Sequence, residues 1–312
     1  MLSRIADSLF WTNRYMERSE GLLRVLHTNY ILSLDKGPYG VHSWRPVLEI
    51  FSYADEDIIK SIEQEPDAVL HHLLFDSTNN NSLKVIISRA RENARGIQDN
   101  ITKEVWEQAN QVYHLVNNAA EKRIAPNQTI SLLDELIKNI VLFTGVVDTT
   151  MPRGMGWAFM NIGRYIERCL ITLEVANKNL QQINYNLAEQ KDILYWRNLL
   201  LSLSGYELHL KTYRSNDSSL NVIDQVVFNK DFPRSLQYGF ARINKYLADI
   251  IEENNPPEKE LIIREFGRLN SFIQFADIDL INELTLQQFL EKVRVDLLNF
   301  SKHLGQIFFS YS

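Results

Sequence analysis

A charged motif, Arg-Tyr-x-Glu-Arg, occurs twice in this sequence. The first copy lies in "NRYMERSEGLLRVL", residues 13–26, and the second lies in "GRYIERCLITLEVA", residues 163–176. The candidate site residues are Arg14, Glu17 and Arg18 in the first copy, and Arg164, Glu167 and Arg168 in the second. Binding of a carboxylate or phosphate is the chemistry that this pattern favours, because a guanidinium group can grip such anions with two parallel hydrogen bonds.

The motif spacing places these charges on one face of a helix. Arg14 and Arg18 lie one helical turn apart, and Glu17 lies beside them. This face also carries Trp11, and it is nearly opposite to a stripe of leucines on the same segment. A helix that is apolar on two sides is expected to run through the interior, so the arginines should be at least partly buried.

Buried arginines need partners, since an unpaired guanidinium in a protein interior costs several kcal/mol. One interpretation is an internal network with Glu17 and Glu167, which would fix the register of two helices. The other is an anionic ligand, because four arginines face only two glutamates in the motifs. Asp7 is a further acid that could balance part of this surplus. The sequence leaves both interpretations open.

A second, weaker candidate is the loop "TTMPRGMGWAF", residues 149–159, which precedes the second motif. It contains Arg153 between a proline and a glycine. Free backbone N–H groups at the start of a helix can hold an anion. Glycine and proline before a helix more often indicate only a turn.

No pattern in the sequence predicts a catalytic residue, a metal site or a cofactor. The glycine-rich phosphate-binding motifs are absent, and the seven histidines show no zinc-type or di-iron-type spacing. Cys169 stands where the first copy has Ser19. A thiol present in one copy only is expected to be a buried structural residue rather than a nucleophile.

Composition narrows the possible partners and the compartment. Lys and Arg number 33 against 39 Asp and Glu, a net charge of -6, so no nucleic-acid partner is expected. A single cysteine excludes an internal disulfide and fits a cytoplasmic protein. Arg4 and Asp7 interrupt what would be the apolar core of an export signal. The most apolar run, residues 140–147, is too short for a membrane span.

Scarce glycine and proline predict long helices. There are 12 glycines and 8 prolines, clustered rather than evenly spaced, and period-2 apolar alternation is nearly absent. Besides the N-terminal helix, helices are predicted at about 81–118, 127–150, 157–186, 188–213, 234–253 and 285–310. The predicted fold class is all-α.

The repeat extends beyond the charged motif. "SWRPVLEIFSY" (residues 43–53) is similar to "YWRNLLLSLSGY" (195–206), and "NSLKVIISRAREN" (81–93) is similar to "RSLQYGFARINKY" (234–246). The offset between matched blocks stays between 150 and 153 residues. We therefore predict a long-helix bundle of two tandem repeats, residues 1–150 and 151–312, packed as one compact unit around a pseudo-two-fold axis.

Four stretches resemble one bacterial family. "MLSRIADSLFWTNRYMERSE", "GWAFMNIGRYIER", "SRARENARGI" and "WEQAN" closely resemble the alpha-E family, an all-helical group named for its Glu-Arg motif. Members are typically encoded beside, or fused to, an ATP-grasp protein of the amide-ligase type and a transglutaminase-like protein. The resemblance therefore implies a part in an ATP-dependent peptide-forming or peptide-modifying system, with those two proteins as partners.

Three functional hypotheses follow. The first is a non-catalytic helical accessory or binding module that docks the ligase and holds an anion at the arginines. The second is an enzyme of the same system that uses Glu17 or Glu167 as a general base, since carboxylates beside arginine also occur in active sites. The third is a purely structural Arg/Glu network.

Overall fold

Helices make up the described part of the chain. The structure is a computed structural model that describes residues 1–34, 43–52, 54–122, 124–187, 193–214, 218–276 and 285–309. Within these ranges there are helices and no strand, so the predicted all-α class is confirmed. None of the helices in these ranges has both the length and the apolar character that crossing a membrane requires.

The chain divides into two compact units. The central unit is Tyr15–Pro152, and the terminal unit combines Met1–Arg14 with Arg153–Ser312. Helix α1 (Ser3–Leu34) contributes residues to both. The predicted division into repeats 1–150 and 151–312 and their two-fold arrangement stay predictions.

The described part of the central unit is built from the later part of α1 and six further helices. These are α2 (Arg45–Phe51), α3 (Glu56–Ile62), α4 (Pro66–Leu74), α5 (Leu83–Gly96), α6 (Lys103–Ala120) and α7 (Thr129–Thr150). Helix α6 packs beside both α5 and α7. The Ser82 hydroxyl accepts the backbone N–H of Val85 and caps α5, and the Thr102 hydroxyl caps α6 in the same way through Val105.

The prediction of a single helix over about 81–118 is wrong. Helix α5 ends at Gly96, a short 3₁₀ turn follows at Gln98–Asn100, and Thr102 starts α6. A glycine costs helix stability, and the threonine cap offers the chain a new start. Helix α7 ends before Met151, which is extended because it precedes Pro152.

The described part of the terminal unit contains seven further helices. They are α8 (Met155–Gln181), α9 (Ile193–Ser202), α10 (Tyr206–Thr212), α11 (Ser218–Ile223), α12 (Leu236–Asn254), α13 (Lys259–Gln274) and α14 (Leu286–Phe308), with a π-helical turn at Asp224–Phe228. Helix α8 packs against α12 and α14, and α13 packs against the same two helices. These four helices therefore surround a common core.

Aromatic rings and one close helix crossing form that core. The ring of Phe266 lies 5.9 Å from that of Phe240 and 4.7 Å from that of Phe300. Where α12 crosses α8, a Cβ at Gly239 would collide with the sulfur of Cys169. Cys169 is buried, as predicted. Only glycine at this position lets the two helices approach so closely.

Helix predictions in the terminal unit agree with α8, α12 and α14 to within a few residues at their described ends. The predicted helix at 188–213 is instead α9 and α10, separated at Ser204, whose φ of 56° is left-handed. Its first residues, 188–192, and residue 310 of the last predicted helix lie outside the described residues. Ser235 caps α12 through the N–H of Tyr238, at the position that the repeat matches to Ser82.

Candidate functional site

Arg14 of the first motif lies against Glu167 of the second, inside the terminal unit. The Nε and Nη2 atoms of Arg14 both donate to Glu167 Oε2, at 2.9 and 2.7 Å. Arg14 is 6% exposed and Glu167 is 3% exposed. The structure thus brings these two predicted residues together as a buried ion pair, with two charge-assisted hydrogen bonds to one oxygen.

Two further contacts complete the surroundings of Arg14. Its Nη1 atom donates to the hydroxyl of Ser301 on α14, at 3.0 Å. Its guanidinium carbon lies 4.6 Å from the ring centroid of Trp11 and 5.4 Å from that of Phe10, within the range of cation–π contacts. Each of the three guanidinium nitrogens therefore has an acceptor in the protein.

Gly163 explains how the pair can form. A Cβ at this position would lie 2.5 Å from the carbonyl oxygen of Phe10 and 3.2 Å from Cγ of Arg14. The absence of a side chain lets the start of α1 approach α8 closely. Glu167 follows Gly163 by four residues, which places its carboxylate on the same face of α8, one turn further along.

Arg164 and Arg168 lie around the ring of Tyr165. Arg164 is buried, and its Nη2 atom donates to the Tyr165 hydroxyl at 3.2 Å. The guanidinium carbon of Arg168 lies 5.3 Å from the centroid of the same ring. Tyr165 in turn stacks on Tyr246 of α12, with centroids 6.0 Å apart. The second motif is therefore in contact with the α8–α12 interface.

Glu17 and Arg18 belong to the central unit. Glu17 is 2% exposed, which agrees with the expected interior position of this part of α1. Arg18 is half-buried, and its Nη1 atom donates to Oδ1 of Asn81, at 3.2 Å, just before the Ser82 cap of α5. Arg18 therefore contacts the segment that leads into α5.

The two weaker candidates are Asp7 and Arg153. Asp7 is half-buried on the first turns of α1. Arg153 is exposed, and its guanidinium carbon lies 3.6 Å from the ring centroid of Trp157. Helix α8 starts at Met155 with Gly154 as its N-cap, so the predicted loop does enter the second motif helix.

The geometry favours a structural role for the Arg14–Glu167 pair, which holds helices together. The pair links α1 to α8, and Ser301 extends the link to α14. Within the described ranges, no group of three or more His, Cys, Asp or Glu side chains could hold a metal ion. A general base must reach the proton that it removes, and Glu167 is enclosed and held by Arg14.

Sequence reasoning missed a buried polar pair in the terminal unit. His209 is 3% exposed, and its Nδ1 lies 2.8 Å from Oε1 of Gln225. Since the amide nitrogen of Gln225 donates to the carbonyl of Gly205, Oε1 is an acceptor and Nδ1 carries the proton. Burial lowers the pKa of His209, although the hydrogen bond to Gln225 acts in the opposite direction. Nothing in the local sequence distinguishes this histidine from the other six.

Comparison with known proteins gives a family match over nearly the whole chain. The Alpha-E family model, described as a predicted alpha-helical domain with a conserved ER motif, matches residues 1–309. An uncharacterized protein of Mycobacterium bovis is 24% identical over 286 residues, which is 85% of this chain and 32% of the relative. Two uncharacterized proteins of Mycobacterium tuberculosis strains match over the same lengths at 24% and 23% identity. No solved structure matches the chain.

Proposed function

Because the chain belongs to the Alpha-E family, we propose that it is a non-catalytic helical module that works together with other proteins or domains. The supporting observation is the length of its relatives. The match fills only 32% of these mycobacterial proteins, so the helical domain is one part of a larger chain there. A domain found within longer proteins is well suited to act beside the domains that accompany it.

The proposed system is an ATP-dependent one that forms or modifies peptides. Its catalysts are an ATP-grasp-type ligase and a transglutaminase-like protein, the partners that the family resemblance implies. The module would act in the cytoplasm, where ATP is available to the ligase. Its own contribution is to bind and position these partners rather than to carry out a chemical step.

The Arg14–Glu167 pair contributes a rigid helix junction to this module. An anion that grips Arg14 through Nε and Nη2 would have to displace Glu167, because both of these nitrogens already donate to its carboxylate. Displacement would leave the Glu167 carboxylate buried without this partner, which costs several kcal/mol. The pair therefore supports the structural interpretation of the motif, with Arg14 holding the start of α1 on α8.

Reconstitution tests this proposal. The purified chain, the ATP-grasp-type ligase and the transglutaminase-like protein of the same organism are assayed singly and together for ATP-dependent amide formation and for binding by calorimetry. An unrelated ATP-grasp ligase from the same organism is the matched control for specificity.

We expect the chain alone to show no turnover, and we expect it to bind its own ligase but not the control ligase. Turnover by the chain alone, lost in a Glu17→Gln or Glu167→Gln variant that still folds, would show instead that it is an enzyme. Absence of binding to both proposed partners would refute the module.

A further inference from the structure

A polar pocket lies between α12 and α13 in the terminal unit. The pocket has a volume of about 520 Å³, which is within the usual size range of small-molecule sites. Its lining residues come from α12, from the end of α13 and from the segment before α12; they are Lys230, Gln237, Tyr238, Ala241, Arg242, Asn244, Lys245, Asn270, Ile273 and Gln274. None of them belongs to the charged motifs.

The charges of the described lining residues are all of one sign. Lys230, Arg242 and Lys245 are cationic, and no Asp or Glu occurs among the described residues that line the pocket. The chain as a whole has more acids than bases, 39 against 33. A cationic pocket on an acidic protein concentrates positive potential at one place and attracts anions to it.

These three cations are available to a ligand. In the described parts of the chain, none of them forms a salt bridge with a carboxylate. Lys230 and Lys245 are exposed, and Arg242 is half-buried. Asp231 follows Lys230 and Asp249 lies one helical turn after Lys245, but neither acid lines the pocket, so the charges that face it favour an anion.

Arg242 is held in place before any ligand binds. Its Nη2 atom donates to the hydroxyl of Tyr238 at 2.9 Å, and its guanidinium carbon lies 4.9 Å from the centroid of the same ring. Lys245 follows at i+3 on the same helix face. A guanidinium that is already oriented loses less entropy on binding than a freely rotating one, and its remaining N–H groups can grip an anion.

Side chains rather than helix dipoles supply the positive field. The pocket lies beside the first turn of α12, at Gln237 and Tyr238, where a helix dipole is positive. It also lies beside the last turn of α13, at Ile273 and Gln274, where a dipole is negative. Since these two effects oppose each other, the lysines and Arg242 determine the charge preference.

The rest of the lining indicates what kind of molecule carries the anionic groups. Four carboxamides, Gln237, Asn244, Asn270 and Gln274, offer both donors and acceptors. We propose that this pocket binds a small polar molecule with two or more phosphate or carboxylate groups, its charges on Lys230, Arg242 and Lys245 and its hydrogen-bonding body on the carboxamides. This inference goes beyond the proposed module function and does not depend on it.

Binding measurements on the full chain test the site. Calorimetry at low salt uses ADP and pyrophosphate as phosphate probes, and the dipeptide Glu-Glu as a carboxylate probe. Each probe is titrated into the wild type, into the Lys230→Glu, Lys245→Glu double variant and into Arg242→Gln. Lys302→Glu is the matched control, since Lys302 is also an exposed lysine of the terminal unit but does not line the pocket.

We expect at least one probe to bind the wild type at one molecule per chain. The double variant should lose at least tenfold in affinity, Arg242→Gln should also bind more weakly, and Lys302→Glu should change less than twofold. The stronger class of probe identifies phosphate or carboxylate as the preferred group. The proposal is overturned if no probe binds at millimolar concentration, if the double variant binds as well as the wild type, or if Lys302→Glu weakens binding equally.

Discussion

Removing the Glu167 carboxylate should destabilise the terminal unit by about 3 kcal/mol. Breaking a buried ion pair by deleting one partner costs about 3–5 kcal/mol, since it leaves the other charge uncompensated. In Glu167→Ala, Arg14 loses both hydrogen bonds to the carboxylate but keeps Ser301 and the ring of Trp11. These remaining contacts place the expected cost at the lower end of the range.

An exposed pair of similar length provides the control. Lys292 Nζ lies 2.9 Å from Asp296 Oδ2, and the two side chains are 50% and 38% exposed. Solvent screens such a pair, so Asp296→Ala should cost less than about 0.5 kcal/mol. The N–O distances are nearly equal in the two pairs, but Arg14 contacts its partner through two nitrogens and Lys292 through one. The contrast therefore measures burial together with the second hydrogen bond.

A double variant then tests whether the cost comes from the uncompensated charge. Replacing both partners with apolar residues, in Arg14→Met, Glu167→Leu, removes the buried charges together, so the double variant should be more stable than Glu167→Ala and lie within about 1 kcal/mol of the wild type. Urea unfolding followed by circular dichroism is the assay, fitted with a separate transition for each unit if two are seen. A Glu167→Ala variant no less stable than Asp296→Ala would refute the argument from burial.

Three other perturbations have defined outcomes. Gly239→Ala should destabilise the fold by about 1–3 kcal/mol, because its Cβ would collide with Cys169. The double variant Gly239→Ala, Cys169→Ala should recover part of this loss. The control Gly267→Ala should be neutral or stabilising, because its Cβ meets nothing within 4 Å. Both effects are measured by urea unfolding. His209 has a lowered pKa in the folded state, so its contribution is complete above the unfolded-state pKa of about 6.5 and is lost as pH falls through the folded-state value. The free energy of unfolding should therefore fall more between pH 7.5 and 5 in the wild type than in His209→Gln. The control His71→Gln changes an exposed histidine and should keep the wild-type dependence of this free energy on pH. The same pH dependence in all three proteins would contradict this account. Glu17→Ala should lower the free energy of unfolding by about 2–4 kcal/mol, because Glu17 is 2% exposed and its removal leaves nearby buried positive charge without a partner. A melting temperature equal to that of the wild type would contradict this expectation.

Local patterns predicted the helices well where the apolar period was long and uninterrupted. The scarcity of proline and glycine was enough to predict five long helices, α1, α7, α8, α12 and α14. The short helices α2 to α4 were not predicted, since a helix of two turns carries too few apolar positions to show a period. Helix α13 was also missed, although Ile262, Phe266, Leu269 and Ile273 are buried at helical spacing.

The burial of the motif followed from its two apolar faces, but its pairing did not. From the sequence alone, Glu17 and Glu167 were equally possible partners for each arginine. Arg14 pairs with Glu167 because α1 and α8 approach each other closely at Gly163. Ser301 is 287 residues away from Arg14 along the chain, and no local pattern marks it as a partner. Contacts of this kind follow from how helices pack, which a motif alone does not specify.

Charge counting along the sequence favoured an anion at the motifs, and that stays a prediction. A surplus of two positive charges in the motifs favoured a ligand there, yet Arg14 proves to be bound on all three nitrogens by the protein itself. The α12–α13 pocket has the same kind of surplus at residues spread over Lys230 to Lys245, where no repeated motif drew attention to them. A cation surplus indicates a ligand more strongly where a cavity gives the ligand room, and the structure shows such a cavity at the lysines and Arg242.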